Sequence, residues 1–200
     1  MQVQTMAGWL EELGSDAPAP GGGAAAAVLV ATGAALVEMV TNLTIGKPRY
    51  AEHEDLMIEA RDGAAALRRG SLELAAADEA AYNAVIATYR LPKDDPTRSA
   101  AIADATAAAT EPQLQTAQFA AEVIALARRI LPGANVNLRS DIAVAVASAR
   151  AGLESAAVLV EGNVAGLRDP QVVENLTGRL AVSVAAASGA DQIIAAVRAS

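Results

Sequence analysis

The chain has no cysteine, and among its 200 residues there are only one histidine, one tryptophan, one phenylalanine and three tyrosines. The missing thiols exclude disulfides and thiolate chemistry. His53 without cysteine partners offers no zinc site of the usual ligand set, so any catalysis is expected to be metal-free. Basic residues are also few. With 15 Lys and Arg against 23 Asp and Glu, the net charge is −8, and no dense positive surface is available to track phosphates. Nucleic acid is therefore not expected as a partner. Residues 1–14 contain Glu11 and Glu12 but no basic leader region, which makes the cytoplasm the default expectation. The apolar run from Ala24 lasts 14 residues before Glu38. That is short of a bilayer span, and membrane association is not expected.

What is abundant is small and aliphatic. Hydrophobic residues make up 53% of the chain while aromatics make up 2%, so the core must be built from Ala, Val, Leu and Ile. Small side chains let helices approach closely but bury little area each. At roughly 25 cal/mol per Å² such packing leaves a lone bundle marginal, so a homo-oligomer is expected.

Apolar residues recur at spacings of three and four almost throughout, and no stretch alternates as a strand would. The pattern predicts an all-α single-domain bundle of long helices over 1–200. Thr5 to Gly14 reads as a short opening helix and Gly21 to about Thr44 as a buried one, followed by a loop over Ile45 to Tyr50. A long helix is predicted from about Glu52 to Tyr89. The segment Leu91 to Pro96 makes a turn, and Thr97 can cap a helix to about Leu131, with a bend at Pro112. After Pro132 and Gly133, Ser140 is the predicted cap of a helix to about Gly166. Asp169 and Pro170 start a last helix that fades near Gly189.

The run Ser15 to Gly23, SDAPAPGGG, interrupts this pattern just before the most apolar helix. Proline fixes the approach and glycine allows close contact, so the free N–H groups at the helix start can face a polar ligand. The alternative is an ordinary cap with close helix packing.

Four segments together resemble the cyclodeaminase/cyclohydrolase family of tetrahydrofolate enzymes. They are S-x-x-P-x-P-G-G-G at Ser15 to Gly23, N-L-T-I-G-K at Asn42 to Lys47, D-x-x-A-Y with R-L-P-K over Asp78 to Lys93, and N-x-N-x-x-S-D at Asn135 to Asp141. Lys47, Pro48, Arg49 and Tyr50 stand where relatives often carry several lysines, and Ala134 replaces a common Gly. The resemblance implies an all-helical homodimer that acts on a tetrahydrofolate derivative at the 5,10-methenyl level and holds no tightly bound cofactor. One branch interconverts the methenyl form with 10-formyltetrahydrofolate, and the other closes formiminotetrahydrofolate with loss of ammonia. The free-standing chain favours the first, and a non-catalytic folate-binding scaffold is the alternative of another class.

Both reactions pass through a tetrahedral carbon and need a proton-moving group. The resemblance assigns this to Asp78, whose plain alternative is a solvated helix carboxylate beside Glu79. Tyr82, four residues on, shares its face and is expected to pack beside the pterin or in the core. Asp141 is either a second acid/base or binding group, or simply a carboxylate placed well against a helix dipole. Asn135 and Asn137 offer amide partners to a pterin edge. Lys47 and Lys93 are cations for the glutamate tail unless merely solvated, with Lys47 alternatively orienting water, and Arg49 is a weaker tail group. Pro20, Gly21, Gly22, Gly23, Asn42 and Thr44 complete the expected binding set. His53 is read as a surface residue, and Glu38 as reaching the helix end or lining the pocket.

Overall fold

A computed structural model describes residues 5–199. Met1 to Gln4 and Ser200, the ends of the expected 1–200 domain, lie outside the described residues. The described residues fold as seven α-helices, α1 (Met6–Leu13), α2 (Gly22–Asn42), α3 (Glu54–Tyr89), α4 (Arg98–Ile130), α5 (Arg139–Val164), α6 (Pro170–Ala186) and α7 (Ala190–Arg198), with no strand among them.

The helix ends follow local chemistry. Thr5 caps α1, its hydroxyl accepting from the Gly8 N–H at 3.1 Å. Asp169 does the same for Gln171 at 2.9 Å, with Pro170 in the first turn of α6. α4 runs unbroken through Pro112. Three expectations change. The predicted loop at Ile45 to Tyr50 gives way to a 3-10 turn over Pro48–His53, so α3 begins later than expected. Ser140 is not a cap, because α5 begins at Arg139 with Leu138 in the cap position. The last predicted helix is α6, and a further helix follows it, since Gly189 takes a left-handed φ of 91° and turns the chain into α7.

α2 is the centre, packed on α3, α4 and α5. Its contact with α5 is nearly backbone to backbone. A Cβ on Gly33 would lie 2.8 Å from the Ala145 carbonyl, and one on Gly152 would lie 2.9 Å from that of Ala26. One core runs through the bundle, from Val30 and Val37 of α2 past Met57, Ile124 and Val146 to Leu180 and Ile193. A second small cluster of Ala24, Ala27, Leu74 and Ala75 is covered by Trp9 of α1 and by Phe119.

Segment length does not exclude a membrane, contrary to the sequence expectation. Three helical stretches, Gly22–Asn42, Val136–Val164 and Pro170–Arg198, are long and apolar enough to cross one. Glu38 does not end the first of them as an apolar stretch, because a single charge among alanines and valines leaves its mean hydropathy high. In the fold, the buried residues of α2 face other helices.

Candidate functional site

α2 begins without a side-chain cap of its own, since its cap position is Gly21. The carboxylate of Asp78, on α3, fills that role from outside by accepting the backbone N–H of Ala24. It can do so because residue 23 has no side chain. A Cβ there would stand 2.0 Å from Asp78 Oδ1. The glycine run thus admits a carboxylate of the protein itself, which neither an ordinary cap nor a direct ligand contact describes.

Asp78 has a second donor. Gln113 of α4 gives its Nε2–H to Oδ1 at 3.3 Å, and the Gln113 Oε1 accepts in turn from Asn163 Nδ2 of α5 at 2.9 Å. Burial is the largest influence on Asp78 and raises its pKa above the ordinary value, opposed by the hydrogen bonds from Gln113 and Ala24. Glu79 is raised too, by burial first and then by repulsion from Glu12 and Asp78.

These groups line a cleft of ≈ 260 Å³ between the start of α2, the later part of α3, the middle of α4 and the end of α5. Gly21, Gly22 and Gly23 form one wall, Asp78, Glu79 and Tyr82 another, and Gln113, Leu159 and Asn163 close it. Pro20 is buried and does not line the cleft. Lys93 is exposed in the turn after α3, at the same end of the bundle.

The other expected site residues lie at the opposite end of α2, whose 21 residues span about 30 Å. There the Thr44 hydroxyl accepts from the Asn135 N–H at 3.1 Å and donates to the Val40 carbonyl at 2.7 Å. Tyr50 donates its hydroxyl to Asn135 Oδ1 at 3.3 Å and accepts from the Val136 N–H at 3.2 Å. Asn135 Oδ1 also takes the Asn137 N–H at 3.2 Å. Thr44 and Asn135 are therefore buried and occupied in joining two loops. Asn42, Lys47, Arg49 and the Asn137 side chain are exposed around them, and Asp141 is half-buried in the first turn of α5. In one copy of the chain, the two groups of residues do not meet.

Glu38 does neither thing expected of it. Its carboxylate accepts from Arg68 Nε of α3 at 2.8 Å, which pairs the charge between two helices. His53 is packed rather than simply exposed: a Cβ on Gly133 would come within 2.4 Å of its ring. Among the described residues, no group of three or more His, Asp or Glu could hold a metal ion.

The family model described as formiminotransferase-cyclodeaminase matches residues 5–182. The chain belongs to the formiminotransferase-cyclodeaminase family. It is 43% identical over 175 residues to a methenyltetrahydrofolate cyclohydrolase of Methylorubrum extorquens, covering 86% of this chain and 84% of that one. It is 31% identical to a formimidoyltransferase-cyclodeaminase of Dictyostelium discoideum over 85% of its own length but only 32% of the relative's. The fold matches that of formiminotetrahydrofolate cyclodeaminase from Thermotoga maritima with a TM-score of 0.90, at 22% identity, over 98% of this chain and 96% of that one.

Of the cleft's linked side chains, sequence reasoning singled out Asp78 but not Gln113 or Asn163. Gln113 follows Pro112, and Asn163 sits near the end of α5 among small residues. An amide at a helix position expected to face inward is the one available signal, since a buried amide needs partners.

Proposed function

We propose that this chain is a methenyltetrahydrofolate cyclohydrolase, interconverting 5,10-methenyltetrahydrofolate and 10-formyltetrahydrofolate. The carrying observation is the charge of the cleft. Among the described residues, the charged ones that line it are the carboxylates Asp78 and Glu79. Two carboxylates that burial disfavours, Glu79 also through repulsion from Glu12 and Asp78, are relieved by a cation, and the methenyl form is an amidinium cation. A water oxygen bonds to the methenyl carbon while Asp78 takes one of that water's protons. The proton passes to N5 as the carbon–N5 bond breaks, and the remaining hydroxyl loses its proton to solvent as the formyl carbonyl forms. This chemistry uses protein side chains and no tightly bound cofactor.

The active form is proposed to be a homodimer. Leu29 of α2 shares a shallow surface depression with Val144, Ala147 and Ala151 of α5 and with Ile194 and Arg198 of α7, and Thr32 and Met39 extend the exposed face along α2. A two-fold axis across this face, perpendicular to α2, sets the loop end of one copy toward the Asp78 end of the other. The cleft of one copy is below the roughly 300–1,000 Å³ of sites that enclose a drug-sized ligand. A second copy would supply the missing wall, with Lys47, Asn137 and Asp141 near it.

The deciding experiment follows methenyl absorbance with purified protein. Accelerated loss of the methenyl form supports the cyclohydrolase. Appearance of that form from formiminotetrahydrofolate with ammonia release, and no acceleration of hydrolysis, would make the chain a cyclodeaminase instead. Tight folate binding with neither reaction would leave a scaffold.

A further inference from the structure

Three side chains from three helices form a directional series at the cleft. Asn163 of α5 donates to Gln113 Oε1 at 2.9 Å, and Gln113 of α4 donates to Asp78 Oδ1 at 3.3 Å. Gln113 is 9% exposed, so its amide orientation is set by protein partners rather than by solvent. An amide has one donor end and one acceptor end. With Asn163 Nδ2 against its oxygen, Gln113 can present only N–H to Asp78. An N–H facing Oδ1 disfavours a proton on that oxygen, so Gln113 favours Oδ2 for a proton taken up by Asp78, whose other donor is the backbone N–H of Ala24.

We propose that Gln113, oriented by Asn163, is a positioning residue for Asp78: it reserves Oδ1 as an acceptor and makes Oδ2 the atom that exchanges the proton with substrate. The proposal rests on Asp78 being the acid/base of the reaction read above. The titratable groups lining the cleft are Asp78, Glu79 and Tyr82, all from α3. α2, α4 and α5 add only glycines, aliphatic side chains and these two amides to the lining, while Glu12 of α1 acts on Glu79. The charge state of Asp78 is thus governed by few neighbours, and Gln113 is the one side chain that hydrogen-bonds it.

Two measurements on the full chain separate this from simple packing. The first is the titration of the Asp78 side-chain carboxyl by carbon-13 NMR, assigned by its absence in Asp78→Asn. In Gln113→Leu, which keeps the bulk and removes the donor, its midpoint should rise by about one pH unit. Gln113→Glu, which keeps the shape but puts an acceptor and a charge there, should raise it further. Asn163→Leu should raise it less, because Gln113 is then free to turn. The second is the pH profile of kcat, whose acid limb should move with the NMR midpoint while KM changes by less than about threefold. An unmoved midpoint in folded Gln113→Leu overturns the proposal, whatever happens to activity. A midpoint that moves while the limb of kcat stays fixed keeps the relay but removes Asp78 as the acid/base. If Gln113→Leu does not fold, the same test is carried by the isosteric Gln113→Glu, where an unchanged midpoint is equally fatal.

Discussion

Asp78 Oδ1 occupies the place where a side chain at residue 23 would begin, 2.0 Å from the position of a Cβ on Gly23. The carboxylate and the glycine are thus one device: α2 is capped by a residue from α3, and that residue is held at the wall of the cleft. Gly22 differs, since a Cβ there would meet only Leu159, at an ordinary 3.7 Å, and one on Gly21 would meet nothing within 4 Å.

Gly23→Ala is expected to displace Asp78 by more than an ångström and to lower kcat by about 10²-fold, the scale of loss for a misplaced reacting group. Gly22→Ala should stay within about threefold of the parent. Parallel kinetics on the two variants check this, and equal losses would show that the run acts only through flexibility.

Asp78→Asn should slow turnover by roughly 10² to 10⁴ and should not lower stability at neutral pH. The sign follows from burial, which raises the pKa of Asp78 in the folded chain. Such a group contributes its stability in protonated form, fully below its unfolded pKa, and that contribution is lost as pH rises through the folded value. The Tm difference should therefore shift in favour of the Asn variant between about pH 4 and pH 7. Calorimetry across that range tests it, and a shift the other way would mean the hydrogen bonds outweigh desolvation.

Arg68→Met should destabilise the chain by about 1–3 kcal/mol, because Glu38 is left without its partner. The Glu38 side chain is only 23% exposed, whereas that of Arg68 is 35% exposed. Adding Glu38→Leu should recover most of the loss, since the cost lies in the unpaired charge rather than in the missing bridge. Urea unfolding of the two single variants and the double variant measures the coupling.

Val144→Glu should convert the protein to monomers at micromolar concentration. Val144 is 52% exposed on the α2–α5 face, and a charge buried across a two-fold axis meets its own copy. Sedimentation equilibrium decides it. A wild-type chain that sediments as a fully active monomer would remove the dimer from the proposed function.

The all-α class was legible in the sequence because helix formation depends on neighbours three and four residues apart, and apolar spacing records them directly. Asp169 could be read as the start of a helix for the same reason: the group it binds is two residues away. Asp78 was legible through a short local motif. Ser140 was misplaced because a cap is a backbone conformation as well as a residue type, and the 3-10 turn Val136–Leu138 had already set the start of α5. α7 was missed because Gly189 could as well end a chain of helices as turn it.

What only the tertiary structure decided are relationships across long stretches of chain. Gln113 reaches Asp78 over 35 residues, Asn163 reaches Gln113 over 50, and Asn135 reaches Thr44 over 91. Local periodicity carries no trace of such pairs, because each depends on which faces α2, α3, α4 and α5 turn toward one another. Lys47 and Asp141 belonged to the same list of site residues as Asp78, yet helix length places them at the far end of α2. Sequence determines that these groups exist and which of them sit on helices. The packing of alanine-faced helices around α2, close enough that Gly33 and Gly152 meet opposing backbone, decides which of them meet.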